Sequence, residues 1–413
     1  MSSRSGGRIS AADSIETPYA WRRLLASLAL ATIGGVGLWS TVVVLPYVQA
    51  EFGVDRADAS TPYAATMISF ALGGILMGKL ADRRGIITPI LIGSVAISLG
   101  YVAAAHSTSL WQFVLAQALL IGLLGSSATF GPLLADVSQW FDRNRGVAMG
   151  ICASGNYLAG TLWPPALQHA VAAFGWRDTH IAVGVFCAVT MVPLALALRR
   201  PTPRAPAPPI LSAAEAAAAP TAASQGFLQL MLVIAGFTCC VAMAMPQVHI
   251  VAYCGDLGYG PARGAEMLSV MLGAGVISRL ASGWISDRIG GARTLLIGSA
   301  MQCLTLLFYL PFDGLTSLYI VSALFGLSQG GIVPSYAMIV RERFPANEAG
   351  GRVGLVIMAT IVGMAVGGWM SGAIFDLTSS YQAAFLNGIL WNLVNVAIAV
   401  WLLRKPQPRA AFA

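Results

Sequence analysis

Twelve stretches of this chain are apolar for long enough to cross a bilayer, and they fall into two sets of six. A hydrocarbon core about 30 Å thick takes about 20 residues of helix. Runs of that length occur at Leu24–Leu45, Pro62–Leu80, Ile86–Ala105, Leu110–Val137, Gly146–Ala172 and Thr179–Leu198. A second set follows at Phe227–Tyr253, Glu266–Ser286, Thr294–Leu310, Ser317–Val340, Val353–Phe375 and Ala383–Leu403. Inside a bilayer backbone groups must be satisfied by protein rather than water, chiefly within each helix, with Gly and Pro tolerated where neighbouring helices resatisfy the backbone. The expected fold is therefore all-α and polytopic, with twelve transmembrane helices in two six-helix bundles. Hydrophobic residues make up 57% and charged residues 10% of the 413. Soluble domains carry about 25% charge, so the net charge of +7 is no nucleic-acid footprint.

Between the sets lies Arg199 to Gly226, rich in Pro and Ala, which supplies no core and reads as a connector. This divides the chain into an N-terminal bundle (1–198), a cytoplasmic linker (199–226) and a C-terminal bundle (227–413). The start is polar and Ser/Arg-rich, with no cleavable signal pattern, so the first span is expected to direct insertion. With both termini placed inside, only Arg56, Arg177 and Arg263 fall in outer loops and Arg279 in the membrane. Every other Lys and Arg is then cytoplasmic. This positive-inside bias predicts a multi-pass protein of the plasma (inner) membrane with cytoplasmic N- and C-termini.

Arg279 stands out within span 8. A guanidinium at mid-membrane costs roughly 2.5–3.5 kcal/mol on insertion scales. Asp287 is about 12 Å away along the helix and Glu266 about 20 Å, so neither pairs with it locally. An intramembrane arginine without an acid of its own points to an anionic cargo.

The two halves also share a motif. Gly78-Lys-Leu-Ala-Asp82-Arg83-Arg84-Gly85 follows span 2, and Gly283-Trp-Ile-Ser-Asp287-Arg288-Ile-Gly290 follows span 8. On these residues the chain resembles the major facilitator superfamily, whose loop 2–3 signature is G-x-x-x-D-R-x-G. The resemblance implies two pseudo-symmetric bundles that rock about a central cavity. It also implies a conformational latch at Gly78, Asp82, Arg83, Asp287 and Arg288. There Gly78 admits a neighbouring helix and Asp82 caps that helix's positive N-terminus, closing the cytoplasmic side while the site faces outward.

A narrower resemblance covers spans 4–8. Trp140-Phe141-Asp142-Arg143-Asn144-Arg145-Gly146, with Gly150, Gly155, Gly160 and Phe174-Gly175-Trp176-Arg177, is similar to the monocarboxylate-transporter and oxalate/formate-antiporter branch. So is Val248 to Tyr253 with Asp256 and Gly258. That resemblance implies that Arg279 binds a substrate carboxylate. The chain departs from the branch at three places. Gly275 stands where animal monocarboxylate transporters carry an acid one turn before that arginine. Span 1 has no Lys, Trp39 or a neighbour standing in its place. Span 11 has no second cation of the antiporter kind.

The remaining polar residues within spans allow two readings each. Asn156 and Tyr157 either bond a substrate oxygen or hold helices together. Gln247 lies toward the outer end of span 7. Gln329 and Tyr336 are seven apart on span 10, hence on one face, which lines the cavity or packs within its own half. His249, whose ordinary pKa is near 6.5, suits a proton carrier or an interhelical hydrogen bond, and Asp256 is a second proton-coupling candidate at the outer rim. The six cysteines show no C-x-x-C spacing. No metalloprotease motif, phosphate loop or nucleophile elbow is present. No enzyme activity, metal or cofactor is expected.

The sequence thus predicts a secondary transporter of small organic anions, chiefly monocarboxylates. Arg279 is the anchor, and Asn156, Tyr157, Gln247 and Gln329 are the other substrate-binding candidates. The coupled species is a proton (symport) or a counter-anion (antiport), and the lipid bilayer is the remaining partner. Two alternatives compete. One is an efflux-type carrier of neutral or amphipathic compounds, with Arg279 satisfied by backbone carbonyls; the other is a membrane sensor that binds an anion without moving it.

Overall fold

The computed structural model describes residues 15–200, 222–344 and 346–404. Most of the expected linker 199–226 lies outside the described residues, as do both chain ends. Among the described residues the chain forms twelve long helical spans. Eleven are long and apolar enough to cross a membrane: Pro18–Phe52, Arg56–Arg84, Ile87–Ala105, Leu110–Val137, Trp176–Ala197, Gln225–Asp256, Pro261–Ile289, Gly291–Phe308, Leu315–Arg343, Gly350–Thr378 and Tyr381–Arg404. The twelfth in the bundle, Arg145–Phe174, is 30 residues long. Its apolar run is diluted by Ser154, Asn156, Tyr157, Gln168 and the pair Pro164 and Pro165. They are numbered here as spans 1 to 12 in chain order, Arg145–Phe174 being span 5.

Short connections force neighbouring spans to run in opposite directions. The turn after span 2 is made by Gly85 at φ 78°, and the turn after span 8 by Gly290 at φ 85°. An L side chain is strained at those angles, so the final glycine of each repeated G-x-x-x-D-R-x-G motif is needed to reverse the chain. One end of the bundle therefore carries the start of span 1, both motif turns and the end of span 12. This is the near face; the opposite end is the far face.

Three spans are broken at mid-depth. Span 1 is interrupted at Gly35, between helices Pro18–Gly34 and Val36–Phe52. Span 4 widens into a π-helix over Ala116–Gly125, tightens into a 3-10 turn over Ser126–Thr129, and resumes at Gly131–Val137. Span 10 is interrupted at Gly330 and Gly331. The Ser126 hydroxyl donates to the Gly34 carbonyl at 2.8 Å, so the break in span 4 satisfies a backbone group freed by the break in span 1. Broken helices persist at membrane depth where other protein groups or a cavity meet the freed backbone.

Arg23 lies inside span 1 and is 2% exposed, although positive-inside counting assigns it to the cytoplasmic charge. It holds Asp136 of span 4 through bonds of 2.7 and 2.8 Å. It also donates to the Leu198 carbonyl at 3.0 Å and lies 4.7 Å over the Trp140 ring. The Trp140–Gly146 motif follows directly on this anchor, where the Asn144 N–H donates to Glu16 at 2.7 Å. At the far face of the same half, Arg177 pairs with Glu51 at 2.5 Å and donates to the Ser107 carbonyl at 2.9 Å. Both arginines tie spans of the first half to one another.

Candidate functional site

The halves meet along two crossings. On one, span 11 lies against span 2. A Cβ at Gly372 would stand 2.9 Å from the Arg56 carbonyl, and one at Gly368 3.1 Å from the Tyr63 ring. On the other, span 8 crosses span 5. From the far face inward, the Ser269 hydroxyl donates to the Thr161 carbonyl, the Tyr157 ring covers Gly275, and Arg279 reaches Ala153. Nearer the terminus-bearing face, a Cβ at Gly150 or Gly283 would meet nothing within 4 Å. The crossing is tight from the far face down to Arg279.

Arg279 sits about 15 Å of helix from Ile289 and about 27 Å from Pro261, between the two halves. Its Nη1 donates to the Ala153 carbonyl of span 5 at 3.1 Å, and its Nε reaches the Gly330 carbonyl at the break in span 10 over 3.4 Å. The guanidinium lies 4.5 Å over the Tyr157 ring. No carboxylate comes within 4 Å of it among the described residues. A guanidinium has five N–H donors; two are used on neutral oxygens, and Nη2 has no partner among the described residues. A full positive charge is thus held in place and left uncompensated. Span 8 can come this close to span 10 because Gly330 has no side chain: a Cβ there would stand 2.3 Å from the Gly275 carbonyl.

Tyr157 explains Gly275. A Cβ at position 275 would lie 2.5 Å from Tyr157 Cε1, so the aromatic ring fills the space an acidic side chain would need. The ring buries one face of Arg279, and its hydroxyl makes no hydrogen bond among the described residues. Asn156, one residue earlier, takes the Trp39 indole N–H on its backbone carbonyl at 3.2 Å. Its side-chain Oδ1 is buried without a partner among the described residues. It borders a small recess beside Gly35, Phe70, Thr129 and Phe130, where the breaks of spans 1 and 4 meet.

The other candidates lie elsewhere. Gln247 and Gln329 bond to each other at 2.5 Å, both buried within the second half, and Gln329 Nε2 is buried without a partner among the described residues. Tyr336 donates to Asn395 at 2.8 Å inside the same half. His249 and Asp256 belong to a cluster at the far mouth, about which sequence spacing is silent. There the Arg56 guanidinium bonds Asp256 at 3.1 and 3.2 Å and the Tyr381 hydroxyl at 2.6 Å. Arg56 is no loop residue: it is the first residue of span 2 and 7% exposed. Asp82, Arg83, Asp287 and Arg288 are all exposed at the near face. None makes an ion pair among the described residues, and Arg288 stacks on Trp284 at 3.4 Å.

Twelve alternating spans in two halves, with helix breaks and a fixed charge where the halves cross, make the fold of a membrane transporter. The chain belongs to the Major Facilitator Superfamily, whose family model matches residues 27–315 and 265–413. It is similar to bovine (Bos taurus) monocarboxylate transporter 13, with 28% identity over 83% of this chain and 79% of that one. It is also similar to an agnestins efflux protein of Paecilomyces divaricatus, with 25% identity over 94% of this chain and 88% of the relative. Among solved structures, a bacterial homolog of the human lysosomal transporter Spinster, inward-facing and unoccupied, superposes with a TM-score of 0.67. At 15% identity over 94% of this chain and 95% of that one, that likeness concerns the fold alone.

Proposed function

We propose that this superfamily member is a secondary transporter of small organic anions, chiefly monocarboxylates, and that Arg279 anchors the carboxylate. The observation that carries the reading is the uncompensated guanidinium held between the two halves. A carboxylate fits a guanidinium through two parallel charge-assisted bonds, and Arg279 has unused N–H donors for them. Tyr157 supports one face of the guanidinium and offers its hydroxyl beside it. The free N–H of Gln329 lies next to the Gly330 break, while the buried Asn156 Oδ1 accepts and so suits a hydroxyl elsewhere on the substrate rather than the carboxylate. A single fixed cation favours a monoanion, because a second negative charge would enter low dielectric without a counter-charge. The monocarboxylate-transporter relatives favour the same substrate class.

The positive-inside rule makes the near face cytoplasmic in a plasma membrane. The far mouth is then the closed outer gate, and the site opens inward. Asp82 and its neighbours in the two motif turns act as the cytoplasmic latch, which is released in this state. A second reading is an efflux-type carrier of neutral or amphipathic compounds. In its favour stand the two carbonyl oxygens already bonded to Arg279 and the efflux relative.

Counterflow of radiolabelled anions in proteoliposomes separates the two. Accumulation of a monocarboxylate against its own unlabelled pool, lost in Arg279→Ala, supports the anchor. Undiminished counterflow by a correctly inserted Arg279→Ala protein overturns it.

A further inference from the structure

Arg56 is where the first half plugs into the second at the far mouth. Its guanidinium makes the paired contact with Asp256 of span 7, bonds the Tyr381 hydroxyl of span 12, and lies 4.7 Å over the Phe375 ring of span 11. Asp376 accepts the backbone N–H groups of Arg56 and Ala57 at 2.9 and 2.7 Å. The first turn of a helix presents unpaired N–H groups and a partial positive charge, so an acid from one half caps a span of the other. Opening toward the far face must break all of these contacts.

His249 lies directly behind this gate, fully buried. Its Nε2 is 2.7 Å from the Gly368 carbonyl, which can only accept, so Nε2 carries the hydrogen. In the neutral ring Nδ1 is then an acceptor. The Tyr381 hydroxyl, 3.3 Å away, donates to it while accepting from Arg56. The chain of donors runs one way, from Arg56 through Tyr381 and His249 to Gly368. A proton on Nδ1 reverses the link to Tyr381. The tyrosine oxygen would then face two cationic donors, and its own hydrogen would lose its acceptor. The charged and titratable groups around the ring offer no relief. Asp256 is engaged by Arg56 and Asp376 by the start of span 2, while Tyr63 and Tyr253 stay neutral near pH 7.

We propose that protonation of His249 releases Arg56 and opens the far mouth, so that one proton is taken up with each opening toward that face. The proposal deepens the transporter reading and rests on it for its direction: with the far face outside, anion and proton enter from the same side, which is symport. By linkage, a proton that favours the open gate binds more tightly when the gate is open, and closure around an incoming anion expels it.

The test uses the full chain in lipid nanodiscs without any substrate. Nitroxide labels are placed at Thr108 and Thr316, both exposed at the far face on opposite halves, and the distance between them is read by pulsed electron resonance. In the wild type a long-distance population should grow from minor to dominant as the pH falls from about 8 to about 5, across the ordinary histidine range. His249→Gln, which keeps an amide donor for Gly368 and an acceptor for Tyr381, should hold the pH 8 pattern throughout. Asp256→Asn, which removes the carboxylate from Arg56, should show the open population at both ends. A wild-type distance that ignores pH overturns the proposal, and so does a pH response that survives in His249→Gln. The labels report gating without cargo, so a responsive gate in a protein that moves no anion would overturn the carboxylate reading alone. Anion transport through a pH-blind gate would overturn only the gate.

Discussion

The far mouth and the crossing at Arg279 join the same two halves by opposite means. At the far mouth Arg56 is met by a carboxylate with both oxygens, by a phenol and by an aromatic face, and a second acid caps its helix. At the crossing Arg279 has an aromatic face as well, but among the described residues only carbonyl oxygens for hydrogen-bond partners. The first contact has its charge met by a carboxylate, with only Arg56 Nε buried without a partner among the described residues. On the gate proposed here it has to be undone for the protein to change state. The second leaves N–H donors of Arg279 unused among the described residues, and on the function proposed here an arriving anion takes them. A buried or half-buried arginine therefore says little until its partners are counted. Arg23, paired with Asp136, falls with Arg56 on the side that has an acid of its own.

The hardest test of this contrast is to remove the unpaired charge. Arg279→Ala should bring transport to background, since two charge-assisted bonds at about 1.5–3 kcal/mol each amount to ~100-fold or more in affinity. Arg279→Lys keeps the charge but loses the planar fork, and should retain on the order of a tenth of the activity. Counterflow by proteoliposomes with matched protein content measures both. Neither substitution should lower the melting temperature, because no partner acid is left stranded.

The paired side of the comparison predicts the reverse. Asp136→Asn leaves Arg23 buried against a neutral amide, and stranding one member of a buried pair costs about 3–5 kcal/mol. Thermal unfolding in detergent should show a clear drop in midpoint, while transport per folded molecule stays near wild type. A large fall in transport with an unchanged midpoint would move Arg23 and Asp136 into the transport machinery and erase the distinction drawn here.

The sequence carried the fold plainly and the surroundings of individual polar side chains only in part, and the split has a physical cause. Hydrocarbon thickness writes itself into span length, and the repeated motif with its turn glycines at Gly85 and Gly290 marks the duplication. Arg279 stood out because an acid on its own helix would have shown in the spacing. Arg56 did not, because Asp256, Tyr381 and Asp376 come from spans far along the chain and only folding brings them to it. Placed just outside an apolar run, it read as a loop charge. The buried pairing of Arg23 was silent for the same reason, its partner lying on span 4. The pairing of Gln247 with Gln329 was equally silent, since an amide in a span has the same appearance whether it meets a ligand or another amide.

A subtler lever on the unpaired side is the fit between Tyr157 and Gly275. An added methyl at 275 would stand 2.5 Å from the Tyr157 ring, so Gly275→Ala must push the ring off its place over Arg279. Overpacking of this kind costs about 1–3 kcal/mol, and transport should fall on the order of 10-fold. Because the two positions touch, a double-mutant cycle should be non-additive: Gly275→Ala added to Tyr157→Ala should cost little more than Tyr157→Ala alone. Strict additivity in counterflow rates would show that the ring does not depend on the glycine, and would detach Tyr157 from the site.

The smallest effect is expected at the near face, where the comparison leaves a gap. Asp82 is exposed there and makes no ion pair among the described residues, whereas the far mouth is held by the Arg56–Asp256 pair. If Asp82 caps a helix of the other half only when the near face closes, its charge stabilises one state and not the other. Substitution then shifts a population rather than removing a site. One exposed helix-capping charge is worth about 0.3–1 kcal/mol, so Asp82→Asn should raise the ratio of near-open to near-closed molecules by only about 2- to 5-fold. Single cysteines in the two vestibules give the readout: labelling from the near side should rise and labelling from the far side should fall, with anion affinity unchanged in the near-open state. Equal labelling on both sides in Asp82→Asn and wild type would reduce Asp82 to a solvated surface charge. It would also leave the far mouth, with Arg56 at its centre, as the sole gate on which the two-state equilibrium turns.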